Sequence, residues 1–316
     1  MIMKIDEIVS NIKTAAITGH IKPDGDCVGS VLALYNYLER NYPELSVDLY
    51  LEEPSGKYGF LKNFDRIDSS YGKECVYDVL FCLDCSTKER LGAARKYFDT
   101  AKHTVCLDHH VSNEGYAGEN YIYGELSSAC EVLYNHLDPK KLDLDIATCL
   151  YAGIVSDTGV FRYSCTSPAT MRIAADLMEY GIRTNEVVDE TFFTKDWNEN
   201  RILGYAVLNS HLLFDGRVIY SYITDEKMKE FQVTSRELDG IVSQLRLTRG
   251  VICAVFLYET GPWEYKVSLR SDDPFDVNEV AAVFGGGGHV RAAGCNVRGE
   301  LADCIEAITA QIGSRL

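Results

Sequence analysis

The sequence predicts an α/β fold, with an N-terminal, mostly parallel sheet covered by helices on both faces and a smaller C-terminal α+β domain. Three observations predict it. Over about the first 190 residues, short apolar runs alternate with segments of helical spacing. Val79–Leu83 (VLFCL) is apolar throughout, which is typical of a strand covered on both faces. After about Asp189, strand-like pairs joined by turn residues replace this alternation.

The N-terminal domain is predicted to span residues 1–188. Strands separated by helices favour parallel pairing through right-handed crossovers. The predicted strands are Ala15–Thr18, Val47–Leu51, Val79–Leu83 and His103–Leu107. The predicted helices are Val28–Arg40, Ala129–Leu137, Ile146–Ser156 and Pro168–Tyr180, the last of which ends at Gly181.

The second domain is predicted to span residues 206–316, after a linker helix at 189–205. A connecting helix is indicated at Asn198–Leu208, and Asp215-Gly216 is a strong hairpin signal. The predicted strands are His211–Phe214, Val218–Ile223, Val251–Tyr258 and Trp263–Leu269. The predicted helices are Val277–Phe284 and Leu301–Gln311.

Composition excludes several classes of protein. The 31 Lys and Arg against 47 Asp and Glu give a net charge of −16, which disfavours long duplex nucleic acid as a partner. No apolar run approaches the length of a membrane span, and Met1–Glu7 carries acids where a secretory signal would be basic and apolar. Most of the 11 cysteines lie in apolar segments. We therefore expect reduced thiols in a cytoplasmic protein with no membrane partner.

Acids and imidazoles cluster after three of the predicted strands. In an open α/β sheet, the loops at the carboxyl ends of parallel strands share one crevice, so these groups are expected to meet. A fourth polar cluster, Ser156–Gly159, closes the apolar helix Ile146–Val155. The clusters after the strands are His20–Asp26, Asp84 and Asp108–His110.

Four converging aspartates would repel one another unless cations offset their charge. Two divalent cations would balance Asp24, Asp26, Asp84 and Asp157, with His20 and His109 as neutral donors. Oxygen ligands with imidazole favour Mn²⁺, with Mg²⁺ as a substitute. Asp84, at the end of a central strand, is the predicted bridge. It would hold the ions ~3.5–4 Å apart, the spacing that activates a shared water as a hydroxide nucleophile for attack on phosphorus.

A glycine run at Phe284–Gly294 (FGGGGHVRAAG) forms a second unusual stretch, in which Gly285–His289 is predicted to be a loop. Glycines permit positive φ and close backbone approach, so the N–H groups of Gly286, Gly287 and Gly288 are predicted to cradle a phosphate. His289 and Arg291 would add charge-assisted hydrogen bonds. Residues 240–300 hold six Lys/Arg and seven Asp/Glu, which favours a substrate with one to a few phosphates over a long strand.

Taken together, these motifs resemble the DHH phosphoesterase superfamily over nearly the whole chain. The resemblance implies a dinuclear manganese centre built from the six residues named above, at which His110 approaches the scissile phosphate and assists departure of the leaving group. It also implies a substrate contact from Arg90. The motifs are HxxPDxDxxGS from His20, DHHxxN from Asp108, SSACE from Ser127 and SDTGVF from Ser156.

The C-terminal half is similar to the DHH-associated domain of nano-RNases and RecJ exonucleases. The similarity lies in Ser268–Ser271 (SLRS), Asp276–Asn278 (DVN) and the glycine run. It implies a domain that grips the nucleotide part of the substrate across an interdomain cleft. Arg270 and His289 are the first binding candidates, followed by Arg291.

The sequence therefore predicts a manganese-dependent phosphodiesterase that hydrolyses short single-stranded oligoribonucleotides (nanoRNA) to mononucleotides, and also 3′-phosphoadenosine 5′-phosphate. A phosphodiesterase for cyclic or linear dinucleotides (c-di-AMP or pApA) would use the same catalytic residues and stays open. A non-catalytic nucleotide-binding protein is a further alternative, which the complete set of candidate ligands disfavours. Substrate length and the oligomeric state, including a homodimer, stay open.

Overall fold

A computed structural model describes residues 4–238 and 240–316 of the chain. These divide into two compact units, Met1–Thr194 and Lys195–Leu316. Of the N-terminal segment Met1–Glu7, the first three residues lie outside the described part, and a short helix, α1, begins at Ile5. None of the described helices is long and apolar enough to cross a membrane.

Unit 1 is built on a parallel sheet in the strand order β2-β1-β3-β4-β5. The four predicted strands are confirmed to within one residue at each end. The fifth strand lies at an edge and is only half-buried, so no solid apolar run marks it in the sequence. The strands are β1 (Thr14–Thr18), β2 (Ser46–Tyr50), β3 (Val79–Leu83), β4 (His103–Asp108) and β5 (Glu119–Ile122).

Helices cover both faces of this sheet, as predicted. Phe81 of β3 points into a large core on one face, which α2, α4 and α5 complete. Its neighbour Leu80 points into a second core on the other face, together with Tyr97 of α3. The helices are α1 (Ile5–Val9), α2 (Gly25–Asn41), α3 (Arg95–Thr100), α4 (Ala129–His136), α5 (Leu144–Asp157), α6 (Pro168–Met178) and α7 (Thr184–Val188).

Unit 2 contains a mixed sheet in the order β10-β11-β9-β8-β7-β6. β7 and β8 are parallel, and the other neighbours are antiparallel, including the predicted β6–β7 hairpin at Asp215-Gly216. The strands are β6 (His211–Leu213), β7 (Val218–Ile223), β8 (Cys253–Gly261), β9 (Glu264–Ser271), β10 (Gly287–His289) and β11 (Ala292–Arg298).

Helices lie on both faces of the second sheet as well. Val255 of β8 points into one core with α11 and α12, whereas Phe256 points into another with α8, α9 and α10. α8, α11 and α12 were predicted, but α9 and α10 were not. The helices are α8 (Trp197–Leu208), α9 (Asp225–Phe231), α10 (Ile241–Arg246), α11 (Val277–Val283) and α12 (Leu301–Gly313).

The glycine run departs from the predicted loop. Gly287–His289 forms β10 and pairs antiparallel with β11, so this stretch is a β-hairpin at the edge of the sheet. A run of glycines predicts a turn or loop, because it has no side chains whose pattern could indicate a strand. Here the neighbouring strand orders them by backbone pairing.

Candidate functional site

Three neighbouring strands of unit 1 bring the predicted ligands together. β1, β3 and β4 are adjacent in the sheet, and all three run parallel. His20, Asp84 and His109 follow their carboxyl ends, so the three side chains meet at one edge of the sheet. Asp157, the last residue of α5, reaches the same point, with Oδ2 3.3 Å from Nε2 of His109.

The loop after β1 fixes its ligands through local hydrogen bonds. Asp24 caps α2, and its Oδ1 accepts from the N–H groups of Asp26 and Cys27 at 3.1 Å each. Its other oxygen lies 3.8 Å from Nε2 of His20. Nδ1 of His20 lies 2.7 Å from the carbonyl of Ile21. In a neutral imidazole this contact places the proton on Nδ1 and leaves Nε2 as the donor to a metal.

Asp26 is fully buried against the N-terminus of α4. Its Oδ2 accepts from the N–H of Ala129 at 2.5 Å, and its Oδ1 accepts from the N–H of Cys130 at 2.9 Å. The unpaired N–H groups and positive end of the helix dipole stabilise a carboxylate there. No pattern in the sequence indicates this support, because it depends on the packing of α4 against the loop after β1.

Asp84 lies at the centre of the cluster. It is 2% exposed and adopts a left-handed backbone conformation with φ of 51°. Its Oδ2 lies 3.2 Å from Nε2 of His20, and its Oδ1 lies 3.5 Å from Nε2 of His109. Oδ1 is buried with no hydrogen-bond partner. A buried carboxylate oxygen without a hydrogen-bond donor lowers the stability of the fold, and a bound cation would offset this cost.

Asp108, which the sequence analysis gave no role, orients the neighbouring histidines. It is fully buried, and its Oδ1 accepts from the N–H of His109 at 2.9 Å and contacts Nδ1 of His110 at 2.7 Å. The Nδ2 group of Asn113 donates to its other oxygen at 2.6 Å. A neutral His110 would therefore carry its proton on Nδ1. The DHHxxN spacing is the sequence signal for this arrangement.

The donors form two groups that share Asp84. One contains His20, whose Nε2 contacts Oδ2 of Asp84, and Asp24, whose Oδ2 lies beside the same nitrogen. The other contains Asp26, His109 and Asp157, which lie together beside Oδ1. Cys27 adds a buried thiol next to the first group. Burial and the charges of Asp84 and Asp24 raise the pKa of this thiol well above its usual range, which makes it a poor ligand.

The electrostatics of the cluster point to a deficit of positive charge. Burial acts to lower the pKa of His20, but the carboxylates of Asp24 and Asp84 outweigh it and raise the pKa to about 10. His109 likewise has a pKa of about 10, because Asp84, Asp26 and Asp157 outweigh its burial. Burial and the charge of Asp84 raise the pKa of Asp26 to about 7. Protons are thus retained where divalent cations would bind, so the residues present fit such ions.

Arg90 lies beside the same loop. Its carbonyl accepts a hydrogen bond from the N–H of Ile21 at 2.8 Å, next to His20, and the residue is half-buried. The backbone of Arg90 is therefore tied to the loop that carries the first group of donors.

Within unit 2, the candidate binding residues Arg270 and His289 share one face of the sheet. His289 pairs directly with Ala292, which pairs directly with Arg270. Directly paired residues point to the same face, and neighbouring strands lie about 4.8 Å apart, so the two side chains are separated by roughly 10 Å. Ala292 lies between them in this row of paired residues. Because its side chain is a single methyl group, the surface between Arg270 and His289 is low.

The glycines at this edge are packed against β11. A Cβ on Gly286 would lie 2.2 Å from the carbonyl oxygen of Gly294, and one on Gly288 would lie 2.4 Å from that of Ala292. The sequence predicts that the backbone of these glycines approaches a phosphate closely. In the structure, Gly286 and Gly288 approach the backbone of β11 closely. Gly287 differs, because a Cβ there would meet only Oδ1 of Asn278, at 3.7 Å.

Arg291 is engaged within its own unit. Its guanidinium donates to the carbonyl of Phe275 at 2.8 Å and forms an ion pair with Asp273. These contacts hold the 272–275 segment, so Arg291 has a structural role that the sequence analysis did not predict.

A parallel α/β sheet with acids and imidazoles at adjoining strand ends is the arrangement expected of an enzyme whose cluster of side chains could hold metal ions. Two family models match the chain: "DHH family, N-terminal domain" over residues 14–154 and "DHHA1 domain" over residues 215–315. The chain belongs to the DHH family and is a phosphoesterase.

Known relatives cover most of the chain. It is 28% identical over 294 residues to the "Bifunctional oligoribonuclease and PAP phosphatase NrnA" of Bacillus subtilis (strain 168), covering 92% of this chain and 91% of that protein. It is 30% identical to "Uncharacterized protein MG371" of Mycoplasma genitalium, covering 87% and 83%. An exopolyphosphatase-related protein from Bacteroides fragilis shares the fold, with a TM-score of 0.87, 23% identity and coverage of 96% and 93%.

Proposed function

We propose that this enzyme hydrolyses short single-stranded oligoribonucleotides to mononucleotides, and 3′-phosphoadenosine 5′-phosphate to its dephosphorylated product, with two divalent cations at the cluster around Asp84. The observation that carries the proposal is the position of Asp84, because its Oδ2 contacts one group of donors and its Oδ1 contacts the other. The name of the Bacillus subtilis relative supports the substrate class.

Mn²⁺ is the proposed cofactor, with Mg²⁺ as its substitute. One donor group would use His20, Asp24 and Asp84, and the other Asp26, His109 and Asp157 with Asp84 shared between them. An imidazole in each group favours Mn²⁺ over the harder Mg²⁺. When bound, such ions would supply a strongly nucleophilic water-derived oxygen and offset the charge of the reacting phosphate.

His110 is the proposed acid for the leaving group. Asp108 accepts the Nδ1–H of this imidazole, which fixes the orientation of the ring. In the imidazolium form, with its Nδ1–H held by Asp108, His110 would deliver the proton on Nε2 to the departing oxygen of the substrate, which leaves the ring neutral with its remaining proton on Nδ1. Asp108 and Asn113 would then act as positioning residues.

The face of unit 2 that carries Arg270 and His289, with Gly287 next to them, is proposed to bind the nucleotide. Arg90, in unit 1, is proposed separately as a substrate contact. Arginine and histidine can make charge-assisted hydrogen bonds to phosphate, and the low surface at Ala292 leaves space for a planar base. A net charge of −16 supports small substrates over long duplexes.

A cytoplasmic location is proposed on the state of the cysteines. All 11 are free thiols, and most are buried. Buried unpaired thiols are typical of a reducing compartment.

The test is a panel of substrates assayed with Mn²⁺, containing a dinucleotide, a pentanucleotide, a 24-mer, 3′-phosphoadenosine 5′-phosphate, c-di-AMP and pyrophosphate. We expect the highest kcat/KM on the short linear oligonucleotides, with activity on 3′-phosphoadenosine 5′-phosphate and loss of turnover in EDTA that Mn²⁺ restores better than Mg²⁺. A preference for c-di-AMP would replace the proposal with a cyclic-dinucleotide phosphodiesterase. Full activity in metal-free buffer would refute the two-cation site.

A further inference from the structure

A strained turn follows the proposed ligand Asp157. Gly159, Val160 and Phe161 all have positive φ, at 56°, 58° and 61°. This conformation is unfavourable for a branched residue such as Val160 and persists only where surrounding contacts hold it. The Oγ1 group of Thr158 supplies one such contact, because it accepts from the N–H of Phe161 at 3.0 Å.

The turn folds the chain back beside Asp157. The N–H groups of Arg162 and Tyr163 both donate to the carbonyl of Thr158 at 2.9 Å. Farther along, the thiol of Cys165 lies 3.7 Å from the carbonyl oxygen of Asp157. Arg162 and Tyr163, which we call the Arg162–Tyr163 corner, are thereby held next to the cluster by backbone contacts on both sides.

Tyr163 presents a supported aromatic ring. Its Cζ lies 2.4 Å from the position that a Cβ on Gly159 would occupy, so the ring rests on the bare Cα of this glycine. The side chain is nevertheless 45% exposed. A ring that is fixed on one side and open to solvent on the rest is a platform on which a nucleobase can stack.

Arg162, the residue before Tyr163, presents a cation to solvent. It is exposed, and among the described residues its guanidinium has no ion pair or hydrogen bond. Surface ion pairs elsewhere in unit 1 occupy arginines such as Arg40 and Arg183. An unpaired guanidinium in the turn that follows the proposed ligand Asp157 is available for a phosphate oxygen.

We infer that the Arg162–Tyr163 corner binds one nucleotide of the substrate within unit 1. Tyr163 stacks on the base next to the scissile phosphate, and Arg162 pairs with a non-bridging phosphate oxygen of the same nucleotide. This inference rests on the proposed function and deepens it, because it adds a base contact on the unit that carries the metal donors.

The experiment compares the dinucleotide pApA with an analogue in which one base is replaced by hydrogen, prepared separately for each position. For wild-type enzyme, kcat/KM should fall roughly tenfold when the stacked base is missing, the effect of one lost stacking interaction. Tyr163→Ala should lose about the same factor on pApA and should no longer distinguish pApA from that analogue. Tyr163→Phe should retain the discrimination.

Tyr163→Leu fills the space against Gly159 without an aromatic face, and it should behave like Tyr163→Ala. It therefore keeps the test valid if the alanine variant folds poorly. Arg162→Ala should raise KM for both substrates by a similar factor, whereas Arg172→Ala, at an exposed arginine on α6, should leave KM unchanged.

The outcomes separate the two proposals. No hydrolysis of pApA by the wild type would refute the proposed function itself. Hydrolysis by the wild type, together with unchanged base discrimination in Tyr163→Ala and Tyr163→Leu, would overturn only the Arg162–Tyr163 corner.

Discussion

Asp84 concentrates several unfavourable features in one residue, and a pair of cations would relieve those that arise from its buried charge. Its carboxylate is buried, one oxygen has no hydrogen-bond donor, and its backbone is left-handed. Asparagine tolerates the same backbone conformation and has nearly the same shape. Asp84→Asn is therefore a cleaner test of charge than truncation to alanine.

We expect Asp84→Asn to lose binding of both Mn²⁺ ions and to lose at least roughly a hundredfold in kcat. Mutation of residues that only hydrogen-bond to a metal ligand already costs about 10–100-fold in metal affinity or activity, and loss of a shared ligand should cost more. Calorimetric titration with Mn²⁺ and circular dichroism would measure metal binding and fold. Asp145→Asn, on the exposed first turn of α5, is the matched control and should bind as the wild type does. Two tightly bound ions in Asp84→Asn would contradict the bridge.

Substitution of His289 tests the proposed nucleotide-binding face of unit 2. His289→Ala should raise KM for short oligonucleotides by roughly tenfold, the effect of one lost hydrogen bond to a charged group. Its Mn²⁺ stoichiometry should stay at the wild-type value, because His289 is not among the proposed metal donors. His289→Gln, which keeps a donor, should recover part of the affinity. Loss of a metal ion in His289→Ala would remove this residue from the nucleotide face.

At the scale of elements, the hairpin formed by β10 and β11 depends on glycines for packing. A side chain on Gly288 would collide with the backbone of β11, and its φ of 153° is also unfavourable for other residues. Gly204 on α8 offers the opposite case, because a Cβ there would meet nothing within 4 Å.

Gly288→Ala should therefore lower the free energy of unfolding by about 1–3 kcal/mol, the usual cost of overpacking. Gly204→Ala should raise it by about 0.5–1 kcal/mol through helix propensity. Guanidinium unfolding followed by circular dichroism would measure both. Equal midpoints for the two variants would show that the glycine run is a loose loop, as its sequence suggests.

The elements differ in how well the sequence reveals them. β3 is evident because five consecutive apolar residues report burial on both faces. β10 is hidden because its pairing involves backbone groups and no side-chain pattern. The turn at Val160 and Phe161 could not be predicted, since local preference opposes positive φ there and only tertiary contacts impose it. Likewise, ligand types at strand ends are readable from spacing, whereas the support of Asp26 by α4 depends on packing between distant segments.

At the scale of the whole molecule, the cluster links stability to pH and to metal. His20 and His109 have pKa values of about 10 against an ordinary 6.5, so each stabilises the folded chain fully below 6.5 and loses this contribution as pH rises towards 10. Burial and the charge of Asp84 raise the pKa of Asp26 from 3.8 to about 7, which has the same sign, because the folded state binds the extra proton. Metal-free protein should thus become less stable as the pH rises above neutrality.

The stabilisation by Mn²⁺ should change with pH in the opposite direction, because the ion binds these groups only in their deprotonated forms. Between roughly pH 6 and roughly pH 8.5, the Tm of metal-free protein should fall while the increase in Tm caused by a fixed Mn²⁺ concentration grows. Differential scanning calorimetry at both pH values, with and without Mn²⁺, would measure the two effects. Asp84→Asn should show little increase at either pH. An increase that is larger at the lower pH would contradict binding at the cluster, because the raised pKa values of His20, Asp26 and His109 make protons compete with the cation more strongly there at lower pH.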